Sequence, residues 1–169
     1  MRHRVAGRRL GRDTNHRKAL RRNLITELFR HGKIKTTVAK AKAVRAQAEK
    51  MITLARNRGD SERLIDLAEG GDEATLSRIL TRAQAGRLLR LAETEDTDSL
   101  EREARAITTH AQRLIARDIH DRAIVHQLFH EIAPRYLERP GGYTRLVRLG
   151  QRKGDAAEMV QLSLLAEDD

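Results

Sequence analysis

Two histidines one helical turn apart, His126 and His130, are the side chains of this sequence best spaced to bind a metal. On a helix, four-residue spacing lets two imidazoles share one ion. Glu131 follows, but the run HEIAP departs from the H-E-x-x-H arrangement of zinc peptidases, and the sequence suggests no third ligand. The pair is therefore interpreted as structural, and a metal-dependent enzyme is kept only as a remote hypothesis.

Other catalytic and cofactor motifs are missing from the sequence. Gly32-Lys33 lacks the upstream glycine and the following hydroxyl of a phosphate-binding P-loop. There is no G-x-S-x-G motif, no paired-carboxylate setting and no Cys, which excludes a thiol nucleophile, a disulfide and an iron–sulfur cluster. We therefore expect no enzyme activity, no cofactor, no metal and no small-molecule substrate.

The chemistry that the residues do support is phosphate binding by cations. Residues 1–58 hold 18 Lys/Arg and 3 Asp/Glu, a net charge of +15. Residues 59–109 hold 7 and 12, a net of −5, whereas residues 110–169 hold 9 of each. This asymmetry predicts a polyanionic partner for the first third of the chain. A membrane surface fits less well, because residues 1–18 offer few bulky apolar side chains and no apolar run approaches 18 residues.

The kind of nucleic-acid binding can be narrowed from composition. Four scattered aromatic residues cannot form a platform on which bases stack. Zinc-finger, basic-zipper and RNP motifs are also missing. Phosphate and shape recognition by Arg and Lys remains, which is typical of proteins that lie on folded RNA. A DNA-compacting protein fits the charge equally well, so a DNA- or RNA-binding protein that does not lie on folded structural RNA stays open as the alternative.

Local signals predict the elements that carry these cations. Residues 1–12 have no periodicity and are predicted to be an extended basic arm. A helix is expected to begin at one of residues 13–15 and to end at Gly32. The run KIKTT (33–37) predicts a short strand, with Thr37 capping a second helix. That helix is predicted to bury a stripe of apolar residues that alternate by three and four: Ala41, Val44, Ala48, Met51 and Ala55.

After the second helix, the sequence predicts further helices followed by a β-hairpin. Leu76, Leu80 and Ala83 are predicted to share one helix, and Asp98 with Glu101 resembles a capping box before the next. That next helix carries Leu100, Ala104, Ile107, Ala111 and Leu114. A further helix is expected to stop at Pro134. The runs YTRLVRL (143–149) and AEMVQLSLL (157–165) predict the strands of a hairpin.

Two long blocks of this sequence resemble the L-seventeen family of bacterial large-subunit ribosomal proteins. The first comprises MRHR, GRRLGR and HRKALRRNLITELFRHGKIKTTVAKAKAVR (16–45). The second is VHQLFHEIAPRYLERPGGYTRLVRLGQRKGDAAEMVQLSLL (125–165). The resemblance covers about two-thirds of the chain. The family joins the two regions by a short link, whereas about fifty acidic-rich residues intervene here.

The resemblance implies an α+β fold of one helix, one strand, three helices and two strands around a small three-stranded mixed sheet. It also implies a structural role in the cytoplasmic large subunit, bound to large-subunit ribosomal RNA and to neighbouring ribosomal proteins near the nascent-chain exit. The expected domains are the arm (1–12), one α+β domain (13–59 with 110–165), an acidic helical insertion (60–109) and an acidic tail (166–169).

The predicted RNA contacts lie in the arm, on the first helix, around the first strand and on the hairpin. They are Arg2, His3, Arg4, Arg8, Arg9, Arg12, His16, Arg17, Lys18, Arg21, Arg22, Lys33, Lys35, Lys40, Lys42, Arg45, Arg145, Arg148, Arg152 and Lys153.

Overall fold

A computed structural model describes residues 7–94 and 96–166 of the chain. Over these residues none of the helices is long and apolar enough to cross a bilayer. The regular elements, in chain order, are α1 (Thr14–His31), β1 (Lys33–Thr37), α2 (Val38–Arg58), α3 (Ser61–Glu69), α4 (Glu73–Ile79), α5 (Arg82–Glu93), α6 (Thr97–Ala116), α7 (Arg122–Gln127), a π-helical turn (Leu128–Ile132), a 3-10 turn (Pro134–Tyr136), β2 (Thr144–Gln151) and β3 (Glu158–Leu164). The architecture is α+β.

The first helix begins and ends where its caps predict. The side chain of Asp13 accepts a hydrogen bond from the His16 backbone N–H, which satisfies one of the free donors of the first turn. At the other end, Gly32 adopts φ 69°, a left-handed conformation that costs glycine little. The helix buries Ile25, Leu28 and Phe29 against the core.

The second helix presents its predicted stripe to the core, but its cap differs from the expectation. Thr37 is the N-cap residue in an extended conformation, yet its side chain makes no capping hydrogen bond. The stripe of small and apolar residues is buried at every predicted position: Ala41, Val44, Ala48, Met51 and Ala55. Packing of this face therefore accounts for the helix better than its cap does.

The sheet is wholly antiparallel, so the expectation of a mixed sheet is wrong. Its strand order is β1-β3-β2, and β3 is antiparallel to both neighbours. Strands β2 and β3 form a hairpin, whose short connection imposes antiparallel pairing. On the other side of β3, Ile34 lies opposite Leu162 and Thr36 lies opposite Val160. Val160 and Leu162 are fully buried, as the alternation of the last strand predicts.

Two predicted helix boundaries in the middle of the chain are wrong. Leu76 and Ala83 do not share a helix, because the backbone at Leu80 is extended (φ −117°, ψ 171°). Thr81 then begins α5 with a reciprocal capping box to Gln84. Helix α6 begins after Asp96, whose side chain accepts from the Ser99 N–H, and not at Asp98. In both places a side-chain cap that periodicity cannot reveal decides the boundary.

The buried residues form two separate clusters, and α6 belongs to both. The first cluster joins α1, α2, the sheet and the segment from α7 to Tyr143. The second contains Leu64, Leu76 and Leu88 and is formed by α3, α4, α5 and the first half of α6. The middle of the chain therefore has an apolar cluster of its own, enclosed by α3, α4, α5 and the first half of α6. Along α6, the buried residues Leu100, Ala104 and Ile107 lie in the second cluster, and Ala111 and Ile115 lie in the first.

Candidate nucleic-acid interface

The described part of the arm is a turn, which corrects the prediction of an extended chain. Leu10 and Gly11 both have positive φ, 56° and 63°, and the Arg12 N–H donates to the Arg9 carbonyl over 3.2 Å. Arg8 and Arg9 are exposed, whereas Nη1 of Arg12 donates to the Leu10 carbonyl over 2.8 Å. The turn forms because Gly11 tolerates the left-handed region. The predicted contacts Arg2, His3 and Arg4 lie outside the described residues.

The predicted basic face of α1 divides into exposed and engaged side chains. His16 and Lys18 are exposed. The half-buried Arg17 donates to the hydroxyl of Thr14 over 3.2 Å. Arg22 differs, because its Nε donates to the carbonyl oxygen of Asp118 over 2.8 Å and its Nη2 donates to that of Arg117 over 3.4 Å. Arg22 is therefore a tie between α1 and the segment that follows α6, and its role as an RNA contact stays a prediction.

A polar cavity of about 420 Å³ lies beside this tie. Four cations from two distant parts of the chain line it together with one amide and one carboxylate: Lys18, Arg21, Arg22, Arg117, Gln47 and Asp118. Arg117 was not among the predicted contacts, since α6 meets α1 only through the tertiary fold. The cavity is the most concentrated group of cations on α1.

The lysines around β1 are accessible, whereas the arginine predicted beside them is held by a carboxylate. Lys33, Lys35 and Lys42 are exposed, and Lys40 is half-buried. Arg45 donates from Nε to Glu49 Oε1 over 3.2 Å and is also 3.2 Å from the Thr144 hydroxyl. That hydroxyl donates to the same Glu49 oxygen over 2.8 Å. Arg45 therefore joins α2 to β2 and is largely neutralised.

The hairpin does not present its four predicted cations on one surface. Arg145 lies opposite Ser163, which lies opposite Lys33 across the sheet, so these residues form one row on the outer face. Arg148 lies opposite the buried Val160 and hence on the other face, because an odd spacing along a strand reverses the side chain. The sheet therefore adds Arg145 to the lysines of β1 but leaves Arg148 apart.

Arg152, at the tip of the hairpin, is engaged by an acidic neighbour. Its guanidinium forms a two-pronged ion pair with Asp155, Nε to Oδ1 over 3.0 Å and Nη2 to Oδ2 over 2.6 Å. These bonds, with the backbone N–H of Ala157, lower the pKa of Asp155 to about 2. The pair closes the hairpin loop and holds the Arg152 guanidinium against a carboxylate, while the RNA contact of Arg152 stays a prediction. Lys153 is exposed beside it.

Sequence reasoning missed a second cationic groove, of about 580 Å³, between α6 and α7. Arg113, Arg122, His120 and His126 line it, above apolar side chains that include Ile119. None of the residues that line it is acidic. The balanced charge of residues 110–169 hid this groove, because acids of that segment are paired elsewhere, as Asp121 is with Arg30 over 2.9 Å. Local spacing in the sequence does not indicate the groove, because its two arginines, Arg113 and Arg122, lie on different helices.

The two histidines considered for a metal site stack on each other. Their ring centroids are 4.1 Å apart, and His126 also lines the groove between α6 and α7. Across residues 7–94 and 96–166, no group of three His, Cys, Asp or Glu side chains is arranged to hold an ion. Of the pair, only His126 lies at the groove, beside Arg122.

Some cations around the end of α2 donate to backbone carbonyls that hold the two clusters together. Nη1 of Arg56 donates to the Arg139 carbonyl, Nε of Arg58 donates to that of Ile79 over 3.3 Å, and Nη1 of Arg63 donates to that of Arg56 over 3.1 Å. These bonds surround the end of α2, where the chain passes from the first cluster to the second. The net charge of +15 therefore overstates the number of cations available to a partner.

Comparison with known proteins identifies the family. The family "Ribosomal protein L17" matches residues 20–165. The large ribosomal subunit protein bL17 of Pelobacter propionicus is 39% identical over 168 residues, 99% of this chain and 94% of the relative. The protein of that name from Clostridium botulinum is 38% identical over 158 residues, 94% of this chain and 96% of the relative. The family match and both alignments run across residues 60–109, the segment predicted to be an insertion. The chain therefore belongs to the ribosomal protein L17 family.

Proposed function

We propose that this protein is a structural constituent of the large ribosomal subunit, where it binds large-subunit ribosomal RNA and so supports translation in the bacterial cytoplasm. The family is one of structural ribosomal proteins and not of enzymes. The observation that carries RNA binding is the gathering of cations on neighbouring surfaces. The cavity on α1 and the groove between α6 and α7 adjoin, because Arg117 and Asp118 line one while Ala116 and Ile119 line the other.

The proposed RNA contacts are exposed or half-buried cations of the arm, of α1 and α2, of the sheet and its hairpin, and of the two concavities. They recognise phosphate groups by charge and hydrogen bonding, which fixes orientation on folded RNA and not base sequence. The set comprises Arg8, Arg9, His16, Arg17, Lys18, Arg21, Lys33, Lys35, Lys40, Lys42, Arg145 and Lys153, to which the fold adds Arg113, Arg117 and Arg122. Arg2, His3 and Arg4 are proposed contacts on sequence grounds alone.

We assign the acidic middle segment to the side that faces away from RNA. Residues 60–109 carry a net charge of −5, so phosphate would repel them. Their separate apolar cluster supports treating them as a lobe attached to the α+β domain of residues 13–59 and 110–165. The protein's place near the nascent-chain exit, beside other ribosomal proteins, is a proposal that rests on the family resemblance.

Binding of a large-subunit RNA transcript at a series of salt concentrations tests the RNA proposal. If the protein neutralises about eight phosphates, the slope of log K against log salt should be about −6 to −7. Replacing Lys18, Lys33, Lys35 and Lys42 by Ala should make that slope about 3 smaller in magnitude. Four exposed arginines of the acidic lobe serve as the matched control, and their replacement by Ala should leave the slope unchanged: Arg78, Arg82, Arg90 and Arg102.

A slope near zero in the unaltered protein would contradict phosphate recognition. If the lysine variant and the arginine control changed the slope equally, the assignment of RNA binding to the surface of α1 and β1 would be contradicted. Sucrose-gradient fractionation of cells tests the ribosomal role separately. The protein should sediment with the large subunit, and its recovery only in the light fractions would contradict that role.

A further inference from the structure

We propose that the cavity beside α1 is a discrete site for one phosphate group of the RNA. The proposal rests on the RNA-binding function and goes further, because it assigns one oxyanion to one set of side chains. Most basic surfaces bind RNA diffusely, through cations that move independently. Here the fold brings α1, α2 and the end of α6 together around a single concavity of about 420 Å³.

The charge of the lining favours an anion. Lys18, Arg21, Arg22 and Arg117 carry four positive charges, and Asp118 carries one negative charge, so the lining has a net charge of +3. Gln47 adds an amide that can donate a hydrogen bond. A phosphodiester carries one negative charge and presents oxygens that accept from guanidinium and ammonium groups. The lining therefore offers both the charge and the donors that such a group requires.

Arg21 provides the most specific observation. Its Nε is buried, and that donor has no hydrogen-bond partner among the described residues. A buried donor without an acceptor is costly, and native proteins rarely leave one unsatisfied. Gly7 of the arm lies against the far end of the same guanidinium. A methyl group in place of its hydrogen would be only 3.2 Å from Nη2 of Arg21. A small shift of the Arg21 guanidinium toward the cavity would open Nε to a phosphate oxygen, which would supply the acceptor that Nε lacks.

Arg22 shapes the cavity rather than completing it. Because its guanidinium is bonded to the carbonyls of Arg117 and Asp118, it holds the end of α6 against α1. This bonding brings Arg117 and Asp118 to the cavity, although they are far from α1 in sequence. The carboxylate of Asp118 is the one group of the lining that opposes an anion, which makes its removal a diagnostic change.

NMR of the full chain tests the proposal through the Nε–H resonances of the arginines. Inorganic phosphate is the probe of the cavity, titrated at constant ionic strength. The Arg21 Nε–H resonance should shift along a saturable curve, whereas those of exposed arginines such as Arg82 should shift weakly and without saturation. A large-subunit RNA transcript should then move the same Arg21 resonance and abolish its response to phosphate.

Two variants separate a discrete site from general electrostatics. Arg21→Lys keeps the charge but removes Nε, and it should weaken phosphate binding about tenfold. Its matched control, Arg82→Lys, should have no effect. Asp118→Asn should tighten phosphate binding about fivefold, because it removes the opposing charge. Its control, Asp66→Asn in the acidic lobe, makes the same charge change far from the cavity and should leave affinity unchanged.

The possible failures are distinguishable. If Arg21→Lys binds phosphate as the unaltered protein does, or if all arginine resonances shift alike, the cavity is not a discrete site, whatever the RNA affinity. If phosphate saturates the cavity but RNA leaves the Arg21 resonance unmoved, the site is not one for an RNA phosphate. Failure of RNA to bind at all, measured by the salt series, would instead overturn the proposed function.

Discussion

Arg22 on α1 and Asp118 at the end of α6 are 96 positions apart, and Nε of the arginine donates to the backbone carbonyl of the aspartate over 2.8 Å. The same guanidinium donates from Nη2 to the carbonyl of Arg117, the C-cap residue of α6, which has no intrahelical donor. It also brings Arg117 into the cationic surface of the first helix. One arginine thus connects the stability of the fold to the composition of the RNA interface.

Replacing Arg22 by Ala should lower stability more than a neighbouring change of equal charge does. Loss of its hydrogen bonds should reduce the free energy of unfolding by about 1–2 kcal/mol, measured by urea denaturation. Lys18→Ala, one turn earlier and exposed, should change that free energy by less than about 0.5 kcal/mol. Equal stability of the two variants would show that Arg22 is a surface cation and not a tie.

The two apolar clusters should respond separately to mutation. Leu88 is fully buried in the second cluster, so Leu88→Ala should cost about 2–5 kcal/mol there. Hydrogen exchange should quicken in α3, α4 and α5, while amides of α1 and β3 keep their protection. Leu28→Ala, in the first cluster, should have the opposite pattern. Uniform loss of protection in both variants would mean that the clusters unfold as one unit.

The acidic lobe should be dispensable for RNA binding. Replacing residues 60–108 by a short Gly/Ser linker removes a net charge of −5, so RNA affinity should stay the same or rise slightly. Loop-closure entropy should not prevent folding, because it grows only with the logarithm of loop length. Loss of RNA binding by a variant that still folds would show that the lobe takes part in recognition. Incorporation into large subunits, measured in parallel, tests whether the lobe binds a protein.

The ion pair of Arg152 and Asp155 at the hairpin tip should lower the pH at which Asp155 titrates. Because bonds to Arg152 hold the pKa of Asp155 near 2 in the folded protein, its carboxyl carbon should titrate well below the usual range of an aspartate. Any stability that the pair provides is present above the ordinary pKa and is lost as pH falls through about 2. Arg152→Ala should raise this pKa, whereas Arg148→Ala should leave it unchanged. An unaltered titration in Arg152→Ala would contradict the pairing.

The sequence by itself determined the first two helices, the three strands and the positive charge that calls for an anionic partner. Asp13, Gly32 and the buried stripe of α2 act through local capping and periodicity, which are readable from neighbouring residues. The helix boundaries at Leu80 and Asp96 could not be read in this way, because several polar residues compete for each cap and only the folded chain selects one. The direction of the strands could not be predicted either, because β1 and β3 are far apart in sequence and pair only in the folded chain.

For the interface, the sequence determined which residues are cations, and the tertiary structure decided which of them a partner can use. Arg22, Arg45 and Arg152 read as free charges, yet each is bonded to a carbonyl or a carboxylate. Arg117 and Arg122, in a segment of balanced charge, line cationic concavities. The physical reason is that charge is a property of the residue, whereas its availability depends on the acceptors that folding brings within hydrogen-bond distance.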